Sequence, residues 1–299
     1  MQKALSRYLS KNGTAYIFTA PAVIIIFLFV LYPLLQSCIM SFTYWYLVMP
    51  KNGHPFIGLS NFKEVCSLSH FNTMIIATAL YTIASVAGKM LAGLGTALIL
   101  NKRFVGRAIV RAIIIIPWAM PTLVVCIVFR LALDQAYGMI NATMRNIGII
   151  HKTIPFLDDP ILALISVIVI AIWRYFPFVT LMILAALQGI PNELYEAASL
   201  DGAGAWRKFV HISWPWISPV WTIVLLLQIV WTVKEFELVY LITRGGPGNS
   251  TALLGIDVYL NAFKFTRVGT ASAEGMFLVV FSLIFGIVYY RLIGGRHSI

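Results

Sequence analysis

Six apolar runs dominate this sequence, each close to the ~20 residues that a helix needs to cross a bilayer. They extend roughly over Ala15–Phe42, Phe71–Leu100, Ala108–Leu133, Ile161–Leu187, Trp216–Ile242 and Ala271–Leu292. Backbone N–H and C=O groups find no water in hydrocarbon, so runs of this length can span only as helices. The expected fold class is therefore all-α, a polytopic membrane protein with six transmembrane helices. Composition agrees, since 60% of the 299 residues are hydrophobic and only 11% are charged. A soluble domain of this length cannot bury that much apolar surface.

The net charge of +11 would suggest nucleic acid in a soluble protein. Here the basic residues fall mostly between the apolar runs, where lipid headgroups and membrane orientation account for them, so the bilayer is the expected partner and nucleic acid is not. With the N-terminus in the cytoplasm, eleven Lys and Arg lie inside: Lys3, Arg7, Lys11, Lys102, Arg103, Arg107, Arg111, Arg207, Lys208, Arg291 and Arg296. Eight lie outside: Lys51, Lys63, Arg130, Arg145, Lys152, Arg244, Lys264 and Arg267. The cluster Lys102–Arg111 carries most weight, because short loops beside span ends set orientation. Both termini are thus expected in the cytoplasm, with residues 1–14 as a polar N-terminal segment and 15–299 as one transmembrane domain. The first run is too long for a signal-peptide core and no A-x-A site follows it, so it reads as a retained span. Cys38, Cys66 and Cys126 have neither disulfide nor metal spacing. His54, His70, His151, His211 and His297 are scattered, so no metal is expected.

The segment between the fourth and fifth runs is the least apolar long stretch with helical character. Its loop covers residues 190–215. Pro191 and Asn192 supply a helix start, and Glu193 and Glu196 sit in the early turns, where carboxylates favour the dipole. Gly202 and Gly204 end or bend the helix, and Pro215 and Pro219 mark entry into the next span. Taken alone, this segment fits either a helix that docks a soluble partner or an amphipathic helix lying in the interface.

The motif decides between them. Glu196-Ala197-Ala198, three residues, Gly202, nine residues, Ile212, one residue, then Trp214-Pro215 resembles the EAA motif of permease subunits of binding-protein-dependent ABC importers. Trp214 stands where that motif has leucine. Further likeness to the carbohydrate-uptake branch, with its maltose-type and glycerol-phosphate-type permeases, lies in Phe56-Ile57-Gly58-Leu59-Ser60-Asn61-Phe62, Ile116–Pro121, Gly138–Asn141, Trp173 with Pro177, and Leu187–Pro191. Leu241–Pro247 is similar to an external TGGGP segment, with Arg244 in place of a small residue. The resemblance implies a type I permease core in a bacterial cytoplasmic membrane, a homologous second permease, a cytoplasmic ATPase dimer and an extracytoplasmic binding protein that delivers a sugar. The motif helix would be the coupling helix. Glu196 and Asp201 would contact the ATPase, and Ala197, Ala198 and Gly202 would allow close seating. This chain would bind no cofactor; ATP and Mg would belong to the partner ATPase.

Within the spans, Pro117 and Pro121 interrupt the third run near its middle, and carbonyls freed there need a cavity or a neighbour. Trp118 and Thr122 lie one turn apart on that stretch. They fit either a packed kink or a sugar site in which the indole stacks and the hydroxyl bonds. Arg174 lies mid-span, where a charge must face water or a partner. It could pair with Glu235, or Arg174 or Lys234 could touch an acidic solute. Gln228 and Thr232 share a face of the fifth run, with Lys234, Glu235 and Glu237 a turn further on. The resemblance implies a pocket lined by Trp118, Thr122, Arg174, Tyr175, Phe178, Gln228 and Thr232. Lys89 is expected to snorkel or pair, and Gly93 and Gly95 to form a packing surface.

Two other function classes fit the sequence less well. An ion-coupled secondary carrier would show midplane carboxylate relays and inverted repeats, which are not evident. A membrane enzyme would need a catalytic cluster of His and carboxylates. Nor does any G-x-x-x-x-G-K-[ST] motif occur, so ATP hydrolysis is assigned to a separate protein.

Overall fold

The computed structural model of the chain describes residues 18–48 and 54–293. Lys3, Arg7, Lys11, Lys51, Arg296, His297 and the segment 1–14 lie outside the described residues. In chain order the helices are α1 (Phe18–Ser41), α2 (Ser60–Ser67), α3 (Phe71–Asn101), α4 (Arg107–Ala119), α5 (Thr122–Ala132) and α6 (Met139–Asn146). There follow α7 (Pro160–Gln188), α8 (Asn192–Leu200), α9 (Ala205–Val233), α10 (Glu237–Thr243), α11 (Leu254–Tyr259) and α12 (Val268–Ile293). Among the described residues there is no strand, only two isolated bridges.

Helices α1, α3, α7 and α9 are each long and apolar enough to cross a membrane. The third run is the bent pair α4 and α5, which meet at 92° and would together make a fifth span. The bend falls at Met120–Pro121. Pro121 has no amide hydrogen for the carbonyl of Pro117, and its ring opposes continuation of the helix. Pro117, expected to interrupt the run as well, stays inside α4.

The fifth run also differs from its expected bounds. Its helix starts at Ala205 rather than Trp216: a π-helical turn over Phe209–Ser213 links its first turn to the α-helical stretch from Trp214, in which Pro215 stands in the first turn and Pro219 inside. At the far end it stops at Val233 rather than Ile242, and α10 begins afresh at Glu237. Lys234, Glu235 and Glu237 therefore lie beyond the end of α9 and not within it.

The chain divides into two compact units. One comprises the described residues up to Ser67 with Val258–Met276. Inside it, the buried amide of Asn61 donates to the carbonyls of Ser41 and Thr43, each at 2.9 Å, closing the end of α1. Arg267 pairs with Glu64 at 3.0 Å and lies over the Tyr46 ring.

The other unit holds Leu68–Asp257 and the chain from Phe277 onward. Its backbone is α3 packed along α7. Asp159 caps α7 by accepting from the amides of Ile161 (3.0 Å) and Leu162 (2.9 Å), with Pro160 at the first position. Close approach of the two helices is set by glycine. A Cβ on Gly93 would fall 2.5 Å from Val179, and one on Gly88 would strike Ile172. The hydroxyls of Thr96 and Thr180 meet at 2.6 Å beside this contact. Gly95, expected to share the surface with Gly93, faces open space. Toward the end of α7, Met90, Leu100, Ile183, Leu187, Ile217 and Val224 form the core that joins α3, α7 and α9.

Candidate functional site

Two regions of the larger unit carry the chemistry expected from the sequence. The first is α8. Pro191 precedes it with extended backbone and Glu193 lies in its first turn. Its C-terminus is a complete Schellman arrangement: Ala203 N donates to Ala198 O at 2.8 Å and Gly202 N donates to Ser199 O at 3.1 Å. Gly202 has φ +74° and meets nothing within 4 Å of a built Cβ. The motif glycine thus serves backbone conformation; within this chain it makes no close contact.

No residue of α8 is buried. Glu196, Ala197 and Asp201 are exposed, and Ala198 is partly covered. Leu200 is 91% exposed and Trp206 76%, an apolar surface left largely open, although the Trp206 ring lies 5.7 Å from that of Phe209. Two contacts hold α8 to the start of α9: Tyr195 Oη with Ser213 Oγ at 2.9 Å, and Lys208 Nζ donating to Ser199 Oγ at 2.5 Å. Trp214, in the motif's leucine position, packs its ring against Phe209 and Trp221 at 6.2 and 5.5 Å. At the end of α7, the Gln188 amide oxygen, oriented to satisfy both ends of the group, accepts from Arg107 at 2.9 Å and from Arg111. Part of the basic cluster read as an orientation signal is therefore tied into the fold.

The second region lies where α7 meets the break between α4 and α5. Arg174 is buried and donates through Nη1 to Met120 O at 2.7 Å and through Nη2 to Thr122 Oγ1 at 2.9 Å. It therefore does not pair with Glu235, one of the two roles expected for it. The phenol of Tyr175 does, donating to Glu235 Oε2 at 3.2 Å. Lys89 is buried and donates to Thr232 Oγ1 at 2.9 Å, its ammonium 5.0 Å from the Tyr175 ring centre. It lies twelve residues from the end of α3, about 18 Å at the helical rise, too far to snorkel. Gln228 is buried on α9 one turn before Thr232.

Trp118, Phe178 and Trp231 form an aromatic row, with ring centres 5.9 and 5.2 Å apart. Trp118 is 44% exposed and Trp231 47%. Thus Thr122 and Arg174 are joined directly, Trp118 and Phe178 meet as rings, and Tyr175 and Thr232 connect through Lys89. Trp231, Glu235 and the polar line Tyr81, Ser85, Lys89 on α3 were not among the expected site residues. The four-residue spacing of that line was the available signal. A cavity of about 520 Å³ in this unit contains none of the expected residues. Ile83, Met90, Trp221, Leu225 and Phe281 are among the side chains that line it, with Thr78 and Thr82 supplying its only hydroxyl groups, so its wall suits sugar hydroxyls poorly. A smaller cavity of about 250 Å³ lies beside α8, between Ala198, Asp201, Arg207 and His211. No group of His, Cys, Asp and Glu suited to a metal occurs among the described residues.

Long apolar helices, a bent pair that would make a further span and an exposed helix between two of them fit a membrane-embedded protein. The chain belongs to the family of binding-protein-dependent transport system inner membrane components, which it matches over residues 89–295. It is 32% identical over 277 residues to the trehalose/maltose transport system permease protein MalF of Thermococcus litoralis, covering 93% of this chain and 92% of that one. It is also 32% identical over 281 residues to the sulfoquinovosyl glycerol transport system permease protein SmoG of Agrobacterium fabrum, covering 93% and 90%. In fold it matches a bacterial ABC transporter involved in the import of the acidic polysaccharide alginate, with TM-score 0.85, 22% identity, and coverage of 99% of this chain and 100% of that one.

Proposed function

We propose that this chain is a pore-forming subunit of an ABC importer that takes up a sugar or sugar derivative delivered by an extracytoplasmic binding protein. Residues 15–299 act as one six-helix permease domain with both termini in the cytoplasm. A homologous second permease completes the pore, and a cytoplasmic ATPase dimer binds and hydrolyses ATP with Mg. The observation that carries this reading is α8: an exposed, Schellman-terminated helix bearing Glu196-Ala197-Ala198 and Gly202, displayed between two spans with apolar side chains uncovered. Glu196 and Asp201 supply charge for contact with the ATPase, and Ala197 and Ala198 keep the helix face low. Family membership leaves the ion-coupled carrier without support.

The sugar reading draws on the names of the relatives and on the aromatic row. Rings of Trp118, Phe178 and Trp231 can stack on the C–H face of a pyranose, and Thr122, Gln228 and Thr232 are the polar side chains assigned to the same lining. Arg174 and Tyr175 complete the expected lining, with Arg174 acting through Thr122 and Met120. The test is uptake of labelled maltose and trehalose by proteoliposomes holding the full importer. Trp118→Ala and Trp231→Ala are each expected to raise KM while leaving assembly intact. Unchanged KM in both variants would remove the aromatic row from the pocket.

A further inference from the structure

The break in the third run leaves a backbone problem that one side chain from another helix solves. At Met120–Pro121 the helical ladder stops, and α5 leaves at 92° to α4. A carbonyl stranded at such a point in a membrane protein needs a donor, because lipid offers none. The donor for Met120 O is Arg174, reaching from the middle of α7 at 2.7 Å, and the same guanidinium holds Thr122 Oγ1 on the far side of Pro121 at 2.9 Å. One rigid planar group thereby grips both sides of the bend. Such fork geometry is what distinguishes arginine from lysine. Trp118 sits two residues before the bond to Met120, and Thr122 is itself gripped, so the relative placement of these two side chains depends on Arg174.

We infer that Arg174 is a positioning residue: a latch whose two bonds fix the angle of the broken span and thereby orient Trp118 and Thr122. It need not touch solute to do so. Its next neighbour, Tyr175, holds Glu235 at 3.2 Å just beyond the end of α9. Two adjacent side chains of α7 therefore fasten the third run and the segment after α9 at one level. The consequence for uptake rests on the transporter reading; the latch itself does not.

The test separates the two. Hydrogen exchange of the full chain in lipid nanodiscs reads the latch without any solute. Arg174→Gln is expected to raise exchange at the Met120 and Val125 amides, which donate to Ile116 O and Pro121 O on either side of the bend, about tenfold, the size expected when bonds to one buried charge are lost, with α7 amides near Ile183 unchanged. Thr122→Val removes one bond and is expected to have a smaller effect in the same amides. Arg174→Lys, which keeps charge but not the fork, is expected to fall between wild type and Arg174→Gln. Wild-type exchange at these amides in Arg174→Gln, or equal loosening throughout α7, would overturn the latch. If Arg174→Gln does not insert, Thr122→Val and Arg174→Lys decide, and wild-type exchange in both overturns it. In the assembled importer, maltose uptake by Arg174→Lys is then expected to show raised KM with kcat kept. Failure of that arm alone counts against the sugar-pocket reading and leaves the latch in place.

Discussion

Replacing Gly202 distinguishes two physical roles for the motif glycine. Its φ of +74° lies in the left-handed region, and no atom lies within 4 Å of a built Cβ. Gly202→Ala therefore meets no clash in this chain, and its cost is conformational, about 1–2 kcal/mol. That shifts the local equilibrium between a terminated and an overrun α8 roughly five- to thirtyfold. Asparagine is larger than alanine yet visits the left-handed region more readily, so Gly202→Asn is expected to cost less. The assay is ATP hydrolysis by the reconstituted importer, stimulated by loaded binding protein, for wild type, Asn and Ala. The order wild type, then Asn, then Ala follows from a backbone requirement. Ala ahead of Asn would refute it and assign the glycine to close seating against the ATPase, where side-chain volume decides.

Other predictions follow from packing and capping. Gly93→Val overpacks the contact with Val179 and is expected to destabilise by about 1–3 kcal/mol, whereas Gly95→Ala, facing open space, stays within about 0.5 kcal/mol; thermal unfolding in detergent compares them. Asp159→Ala removes two hydrogen bonds at the start of α7 and is expected to cost about 1 kcal/mol in the same assay. Arg244, at φ +55° after α10, occupies a left-handed position, so Arg244→Gly is expected to be neutral or to stabilise by up to about 1 kcal/mol.

Much of this architecture was legible because its signals are local. The start of α8 at Asn192 and its arrest at Gly202 follow from residues within one turn, and the runs from Phe71 and Ile161 appear as helices within a residue or so of their expected bounds. The error at Pro215 and Pro219 has a cause that sequence does not display: a π-helical turn over Phe209–Ser213 joins Ala205–Lys208 to the helix that holds both prolines. The placement of Lys234, Glu235 and Glu237 failed because apolar residues resume at Leu238, which masks the stop at Val233. Arg174 was legible as a buried charge needing a partner, but not which partner. Met120 O is a backbone atom exposed only by the bend, and Glu235 was the more conspicuous choice in sequence. Trp231 was passed over because its neighbours Gln228 and Thr232 define the polar face of α9, and its partnership with Phe178 is set by helix packing.

The most direct test of the account is solute-stimulated ATP hydrolysis by the complete complex, comparing wild type with Glu196→Ala and Gly202→Leu. The account predicts stimulation by saccharide-loaded binding protein in wild type, and loss of stimulation or of ATPase association in both variants. Saccharide uptake that persists with the ATPase omitted would contradict it.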